Sequence, residues 1–309
     1  MAHNTQSTPI ENYNENENTG NPTQRSQQAA GHLPPTPGSA PTAPPAPSST
    51  SASSAPTPAP DLTPIVRPGP DGEELAAEHR RVLLVAAHPD DPEFSSAGTV
   101  ANWVRHGFEV IFVLVTSGDK GTSDRNMTRE KLSQIREEEQ RAAAARLGVN
   151  EVVFLRFPDG ELMPDLQLRG AITRMIRLYR PYAVLTHDPI TLFYNNEFIN
   201  HPDHRAVGQA TVDAIYPTAR DPLQFHEQIR EGLEPHKVKE IYLWGSDQPN
   251  VLVDISATIE DKVEALKLHK SQVGDATNLA ERVKMRAAQV AEPYGLKYAE
   301  AFRRIVMRM

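Results

Sequence analysis

The sequence predicts an α/β fold in which a mostly parallel sheet is flanked by helices. Between about residues 80 and 190, short runs rich in β-branched residues alternate with longer segments of helical periodicity. The short runs are apolar at almost every position, which is typical of strands buried on both faces. Polar clusters follow these runs, and ligands in open sheets of this kind bind beyond the carboxyl ends of the strands.

The elements can be placed in order along the chain. After the first strand, Ala97, Val100, Ala101 and Val104 recur at helical spacing, and Gly107 ends the predicted helix. The predicted strands span residues 82–87, 109–118, 151–157 and 182–189, and the predicted helices between them span residues 95–107, 127–148 and 165–181.

The alternation changes in the second half of the chain. Pro202 can occupy the first turn of a helix. Residues 238–245 and 250–256 are predicted strands, and residues 258–272 and 277–295 are predicted closing helices.

The N-terminal region has a different composition from the rest of the chain. Residues 34–60 are almost wholly Pro, Ala, Ser and Thr. Such a segment cannot bury enough apolar surface to offset the entropy lost on ordering. We therefore expect a disordered tail over residues 1–77 and one folded domain over residues 78–309.

Composition limits the classes of function and the location. The 309 residues carry a formal net charge of −8, which argues against a general nucleic-acid binder, and there are no cysteines to form disulfides or thiolate metal sites. The N-terminus lacks a signal-peptide pattern, and the apolar runs are too short to span a bilayer. The sequence predicts a cytoplasmic protein and leaves a homo-oligomer open.

A charged motif stands directly after the first buried strand. In "AHPDD", Pro89 restricts its own φ and biases His88 away from helical geometry, so the strand ends in a defined turn. His88 and Asp91, three residues apart, can then point to one place, and Asp90 between them stays free. Glu93 follows, with two alternatives: it orients a metal ligand, or it caps the helix that begins nearby.

A second motif, "HPDH", places His201 and His204 at the start of a predicted helix. A histidine and an aspartate from the first motif, with a histidine from the second, make the three N/O ligands usual for catalytic zinc. Ferrous iron would also accept such ligands. The two motifs leave one carboxylate, Asp90, and one imidazole, His201, for proton transfer.

These motifs resemble those of the PIG-L (LmbE-like) zinc-dependent de-N-acetylases. The family pattern AHPDDxE matches Ala87–Glu93, and HPDH matches His201–His204. Two lesser patterns also match: RxEExxxAAxxLG at Arg136–Gly148 and KxxAxxxHxSQ at Lys262–Gln272. The resemblance covers about residues 80–272.

The resemblance implies a Rossmann-like fold and hydrolysis of an N-acetyl group, commonly on a glucosamine unit. It implies that His88, Asp91 and His204 bind the metal and that Asp90 is the general base. His201 would stabilise the oxyanion and protonate the leaving amine.

Further residues around these motifs are assigned on the same resemblance. Asp203 would brace a histidine, and Arg136 would contact the distal part of the substrate. His187 is either a site residue or a rim histidine, and His269 either reaches the substrate or packs between helices. The predicted substrate-binding residues are Arg136, Asp159 and His187, and the predicted supporting residues are Glu93, Asp203 and His269.

One departure from the family lies just before the second motif. Members that act on mycothiol-type precursors resemble "YGHPDH", with a mobile tyrosine, whereas this chain has Ile199 and Asn200 there. The nearest tyrosine is Tyr194, and its ability to substitute is open.

Three functions are therefore considered. The first is a metal-dependent amidase that releases acetate from an N-acetylated amino sugar or its glycoside. The second is an amidase acting on a thiol-sugar conjugate. The third is a non-catalytic sugar- or nucleotide-binding domain, although the chain lacks GxGxxG after the first strand and also GxxxxGK[ST]; GxSxG of serine hydrolases is absent too.

Overall fold

An eight-stranded sheet organises the part of the chain described by the computed structural model, residues 62–69, 73–194, 196–274 and 277–308. A separate two-stranded hairpin, β6 and β7, precedes the second motif. The strands are β1 (Thr63–Ile65), β2 (Arg81–Ala86), β3 (Glu109–Thr116), β4 (Glu151–Phe157), β5 (Ala183–His187), β6 (Phe193–Tyr194), β7 (Phe198–Ile199), β8 (Glu240–Trp244), β9 (Val251–Asp254) and β10 (Ala299–Val306).

Helices connect the strands on both faces of this sheet. In the described residues they are α1 (Asp91–Ser95), α2 (Ala97–Arg105), α3 (Arg129–Arg146), α4 (Leu166–Tyr179), α5 (Pro202–Ile215), α6 (His226–Arg230), α7 (Ile259–Leu266), α8 (Lys270–Val273) and α9 (Leu279–Ala291).

The sheet is mostly parallel, with the strand order β1-β9-β10-β8-β5-β2-β3-β4. Strands β8, β5, β2, β3 and β4 run parallel to one another, and β10 runs antiparallel to β8 and β9. The predicted α/β fold with a mostly parallel, helix-flanked sheet is confirmed.

The core lies on both sides of β2 because its residues alternate between the two faces. Leu84 points to the face covered by α2, α3, α7 and α9, and Leu83 points to the face covered by α4 and α5. Both leucines are fully buried. This double burial explains why the strand reads as a continuous apolar run in the sequence.

The order of the strands places a crevice at the end of β2. From β2 the chain adds β3 and β4 on one side, then returns to add β5 on the other side. The loops that leave β2 and β5 therefore diverge, and such a switch point is where open α/β sheets bind ligands. His88 follows β2 at this position.

Two of the differences from the elements expected from the sequence have an evident physical reason. The predicted helix over residues 258–272 is divided into α7 and α8, because His269 leaves helical geometry and buries its side chain against Glu93. Strand β10 was not predicted, since its charged residues obscure an apolar pattern. Two of these residues form ion pairs: Glu300 pairs with Lys262, and Arg304 pairs with Glu240.

The predicted tail, residues 1–77, falls largely outside the described residues. Within it, β1 forms and pairs in parallel with β9. Disorder over residues 1–61 and the boundary at residues 77 and 78 stay predictions. Among the helices that the structure describes, none has the length and apolar character needed to cross a bilayer.

A buried arginine offers a test of this fold. Arg177 of α4 is 1% exposed, and its guanidinium lies 2.9–3.0 Å from the backbone carbonyls of Thr218, Asp221 and Gln224. Arg177→Ala would leave these carbonyls without their donor, so we expect the free energy of unfolding to fall by about 3 kcal/mol, measured by urea denaturation. Arg174→Ala, on the same helix but in a surface ion pair, is the matched control. Equal losses in both variants would contradict this role of Arg177.

Candidate active site

A pocket of about 360 Å³ opens beyond the carboxyl ends of β2, β3 and β4 and at the start of α5. Both sequence motifs contribute to its wall, although they lie more than a hundred residues apart. The lining residues are His88, Asp90, Asp91, Lys120, Gly121, Arg136, Asp159, Gly160, His201 and His204.

The first motif forms a tight turn between β2 and α1. The backbone N–H of His88 donates to Asp91 Oδ2 over 2.8 Å, which closes the turn. Asp90 occupies the left-handed region at φ 95°. This conformation is unfavourable for a residue with a Cβ, and it persists only where surrounding contacts maintain it.

The second motif begins α5 and approaches the end of β5. A Cβ at Gly208 would lie 2.5 Å from the backbone oxygen of His187, so only glycine lets the helix come this close. The close approach brings the ring of His204, one turn earlier, into a stack on His187 with centroids 4.2 Å apart. Gly208 thus positions the second motif beside the first.

His88, Asp91 and His204 present nitrogen and oxygen atoms at spacings suited to a cation. Asp91 Oδ1 lies 3.1 Å from His204 Nε2, and Asp91 Oδ2 lies 3.5 Å from His88 Nδ1. Ligands at ordinary zinc bond lengths in a tetrahedron are roughly 3.4 Å apart, so these two separations are compatible with a shared divalent metal, but the predicted set of His88, Asp91 and His204 is not itself one of the groups of described residues that could hold a metal ion. Within the described residues, three groups could hold a metal ion: His88 with His201 and His204, Asp91 with His187 and His204, and His88 with Asp159 and Asp203.

Asn200 determines which nitrogen of His204 is free. Asn200 is 1% exposed, and its Nδ2 donates to the backbone oxygen of Thr191 over 2.8 Å, so its Oδ1 must accept from its other neighbour. That neighbour is His204 Nδ1, at 3.1 Å. The lone pair of Nε2 is therefore left to face Asp91. In the sequence alone, Asn200 stands out only as a departure from the family pattern.

Two carboxylates hold the far side of the His88 ring. His88 Nε2 lies 3.0 Å from Asp159 Oδ1 and 3.3 Å from Asp203 Oδ2. Burial tends to lower the pKa of His88, but the hydrogen bonds to Asp159, Asp203 and Asp91 outweigh it and raise this pKa well above its usual value. With Nε2 donating to carboxylates, Nδ1 is the nitrogen that can bind a metal.

Asp203 and Asp159 are fixed in turn by backbone donors. Asp203 Oδ2 accepts from the N–H of Gly160 over 2.7 Å, and Asp159 Oδ2 accepts from the N–H of Lys120 over 2.9 Å. Burial opposes ionisation of Asp159, yet its contact with His88 lowers its pKa to about 2. Asp203 contacts His88, and its role as a bracing residue stays a prediction. Asp159 lines the pocket but also contacts His88.

Asp90 is the carboxylate left free beside these ligands. Burial raises the pKa of Asp90 to about 7, against the opposing charge of Arg136. Arg136 Nη2 lies 3.4 Å from Asp90 Oδ2, and Arg136 also donates to the backbone oxygens of Pro89 and Gly118. Arg136 lines the pocket as expected, but these contacts place it against the turn of the first motif.

His201 presents one N–H to the pocket. Its Nδ1 accepts from the backbone N–H of Asp203 over 3.2 Å, so the proton of the neutral ring is on Nε2. Burial, followed by the neighbouring His88 and His204, lowers the pKa of His201 and favours this neutral form. His201 can therefore donate a hydrogen bond at neutral pH.

His187 lies behind the candidate ligands. It is 2% exposed and is not among the described residues that line the pocket. Trp244 Nε1 donates to His187 Nδ1 over 3.1 Å, and His187 Nε2 lies 3.4 Å from Asp91 Oδ2. Burial lowers the pKa of His187 to about 4, so the ring is neutral. The backbone N–H of Ala87 also donates to His187 Nε2 over 3.2 Å, so the ring lies between the end of β2 and Asp91.

Glu93 and His269 form a fully buried pair beneath the turn. Glu93 Oε2 lies 3.1 Å from His269 Nε2, and Glu93 Oε1 accepts from Gln140 Nε2 over 2.8 Å. Burial tends to lower the pKa of His269, but Glu93 raises it overall.

Tyr194, the tyrosine nearest to the second motif in sequence, lies in β6 and outside the described residues that line the pocket.

Comparison with known proteins identifies the family. The PIG-L family profile, described as GlcNAc-PI de-N-acetylase, matches residues 83–215. Diacetylchitobiose deacetylase of Thermococcus kodakarensis is 32% identical over 226 residues, which cover 72% of this chain and 82% of that protein. The chain belongs to the PIG-L family of de-N-acetylases. The resemblance inferred from the motifs is confirmed, as is the prediction of a deacetylase that hydrolyses an amide bond.

Solved structures show the same relationship. N,N'-diacetylchitobiose deacetylase from Pyrococcus horikoshii matches with a TM-score of 0.68 and 30% identity, covering 74% of this chain and 84% of that one.

A second sequence relative is a probable N-acetyl-alpha-D-glucosaminyl L-malate deacetylase of Bacillus anthracis. It is 29% identical over 200 residues, or 62% of this chain and 81% of that protein. Deacetylases of the PIG-L family are metal-dependent, and the described residues hold candidate metal-binding groups.

The hydrogen bond between Asn200 and His204 generates a prediction about metal affinity. Asn200→Ala removes the acceptor that fixes the His204 tautomer, so we expect metal affinity to fall about 10–100-fold, measured by competition with a chelator. Asn200→Asp keeps an acceptor for His204 and should lose less. If Asn200→Ala binds metal as tightly as the wild type while His204→Ala does not, the hydrogen bond is not required.

Proposed function

We propose that this PIG-L protein hydrolyses the N-acetyl group of an N-acetylglucosamine unit, free or in a glycoside, and releases acetate and an amine. One observation carries the proposal. Beside groups of N/O donors that could hold a metal ion, a single pocket presents a partly buried carboxyl group, Asp90, and a neutral imidazole, His201. This is the complement that amide hydrolysis requires.

The residues proposed to hold the metal are His88 through Nδ1, Asp91 through Oδ1 and His204 through Nε2. Asp159 and Asp203 face His88 Nε2, and Asn200 faces His204 Nδ1, so the opposite ring nitrogens are the ones that would face a cation; His88 would lose its second proton on binding it. Zinc suits the donor set, and ferrous iron is the alternative. A bound cation would polarise the amide carbonyl and lower the pKa of a water molecule.

Asp90 is proposed to take the proton from the attacking water. A carboxyl group whose pKa lies near the working pH is an effective general base, and burial moves Asp90 in that direction. A nearby divalent cation would favour the ionised form and counteract part of this shift. Arg136, on the other side of Asp90, also favours the carboxylate.

His201 is proposed to act at the carbonyl oxygen only, because a neutral imidazole cannot give up its Nε2 proton without becoming an imidazolate. Its Nε2–H can donate to the oxygen as negative charge develops there. When the C–N bond breaks, the nitrogen must gain one proton to leave as an amine. The proton that Asp90 takes from water balances this transfer, so the site needs no other proton source.

The substrate class rests on the relatives. Those reported above are named as deacetylases of diacetylchitobiose and of a glucosaminyl malate. A pocket of about 360 Å³ accommodates a group of monosaccharide size. The relatives do not favour the thiol-sugar amidase or the non-catalytic binding domain. Arg136 and Asp159 are proposed to contribute to the pocket wall that faces the sugar.

Substitution of the base and of a ligand should separate catalysis from metal binding. Asp90→Asn keeps a residue that tolerates the left-handed conformation, so we expect kcat to fall about 10²–10⁴-fold while bound metal stays within about twofold of the wild type. His88→Ala should lose both metal and activity. Acetate release and metal analysis measure the two effects, and Asp124→Asn, in an exposed turn, is the control. Full activity in Asp90→Asn would contradict the assignment of the base.

The substrate class can be tested with a panel of acetylated sugars. We expect the metal-loaded protein to release acetate from N-acetylglucosamine, from diacetylchitobiose, or from malate or inositol glycosides of N-acetylglucosamine. Zinc and ferrous iron should be supplied separately. Metal-loaded protein that releases no acetate from any of these would contradict the substrate class, and turnover of bulky N-acyl groups alone would favour the thiol-sugar amidase.

A further inference from the structure

One face of α3 holds the peptide unit between Pro89 and Asp90 at both of its polar ends. Arg136 Nη2 donates to the backbone oxygen of Pro89 over 2.6 Å, and Gln140 Oε1 accepts from the backbone N–H of Asp90 over 2.9 Å. Residues four apart on a helix lie on the same face, so both contacts come from one surface. The plane of this peptide is therefore set by α3.

The held peptide determines the direction of the Asp90 side chain. The φ angle of Asp90 is a rotation about the bond from its nitrogen to its Cα, and that nitrogen belongs to the held peptide. At φ 95° the residue is in the left-handed region, which a non-glycine residue leaves unless its surroundings prevent it. The hydrogen bond from the Asp90 N–H to Gln140 opposes this relaxation.

The amide of Gln140 is itself oriented by buried partners. Its Nε2 donates to Glu93 Oε1 over 2.8 Å, and Glu93 Oε2 lies 3.1 Å from His269 Nε2. Gln140, Glu93 and His269 are all fully buried. A carboxylate only accepts hydrogen bonds, so the NH₂ group of Gln140 must face Glu93 and its oxygen must face Asp90. The reversed amide would place an N–H against the N–H of Asp90.

We propose that Gln140 is a positioning residue: with its amide oriented by Glu93 and His269, it holds Asp90 in the left-handed conformation that directs its carboxylate into the pocket. The inference rests on the proposed function, in which Asp90 takes the proton from water. It assigns Glu93 and His269 a defined purpose, which is to give the Gln140 amide one orientation. Arg136 has a different role, since it holds the Pro89 oxygen and lies beside the Asp90 carboxylate.

The first test removes the acceptor but keeps the size of the side chain. In Gln140→Met, Asp90 loses the partner of its N–H, so we expect kcat to fall about 10–100-fold while KM and bound metal stay within about twofold of the wild type. Gln134→Met, the same substitution at an exposed position of α3, is the matched control and should change none of these. A purely structural role would instead change kcat, metal content and thermal stability together.

The second test exchanges the two hydrogen-bonding groups. Gln140→Glu alone would place the new carboxylate against that of Glu93, at the 2.8 Å separation that a hydrogen bond now spans. Because the two like charges repel, activity should fall strongly. Adding Glu93→Gln restores every contact: the new amide donates to the new carboxylate and accepts from His269, and the carboxylate still accepts from Asp90. We expect the double variant to recover at least about tenfold in kcat over Gln140→Glu. This variant also tests the inference if Gln140→Met fails to fold.

Three results would overturn the inference. They are a folded, metal-bound Gln140→Met with kcat within about threefold of the wild type, a loss of metal that parallels the loss of activity, and a double variant no better than Gln140→Glu. Crystal structures of Gln140→Met and Gln134→Met add a readout independent of turnover, since Asp90 should leave the left-handed region only in the first. If the wild type hydrolyses no N-acetyl sugar, the proposed function fails, while these structures still decide whether Gln140 holds Asp90.

Discussion

The site depends on the way the chain leaves β2. This strand is buried on both faces and paired on both edges, so its last residue has a fixed position in the middle of the sheet. Because β3 and β5 lie on opposite sides of it, the loop that follows opens into a crevice. The hydrogen bond from the N–H of His88 to Asp91 then converts this exit into a turn with both side chains facing one pocket.

Desolvation governs the arrangement around that turn. Buried carboxylates and imidazoles are stable only when each finds a partner, and here they alternate: Asp203 and Asp159 contact His88, and Asp91 contacts His204 and His187. The same contacts fix the tautomers of the histidine rings. The partners that stabilise the buried charges therefore also determine which ring nitrogens face the pocket. Asp90 is paired with Arg136, and burial raises its pKa against the charge of this partner.

The fold by itself would not have identified the chemistry. A hydratase from a pseudomonad, GalB, shares the fold with a TM-score of 0.61 at 22% identity, and its named reaction is not a deacetylation. The assignment of this chain to the PIG-L family rests on its sequence relatives.

The sequence by itself determined the alternating strands and helices, and it identified His88, Asp91, His201 and His204 as metal-site and catalytic candidates. These follow from local rules, because a short turn or one helical turn fixes the spacing of residues close in sequence. Only the tertiary structure decided which nitrogen of each histidine is free, how Asn200 and Gln140 take part, and that β10 joins the sheet. Gln140 is 50 residues from Asp90, and His269 is 176 residues from Glu93. Contacts at such separations depend on how helices pack on the sheet, and periodicity along the chain carries no information about them.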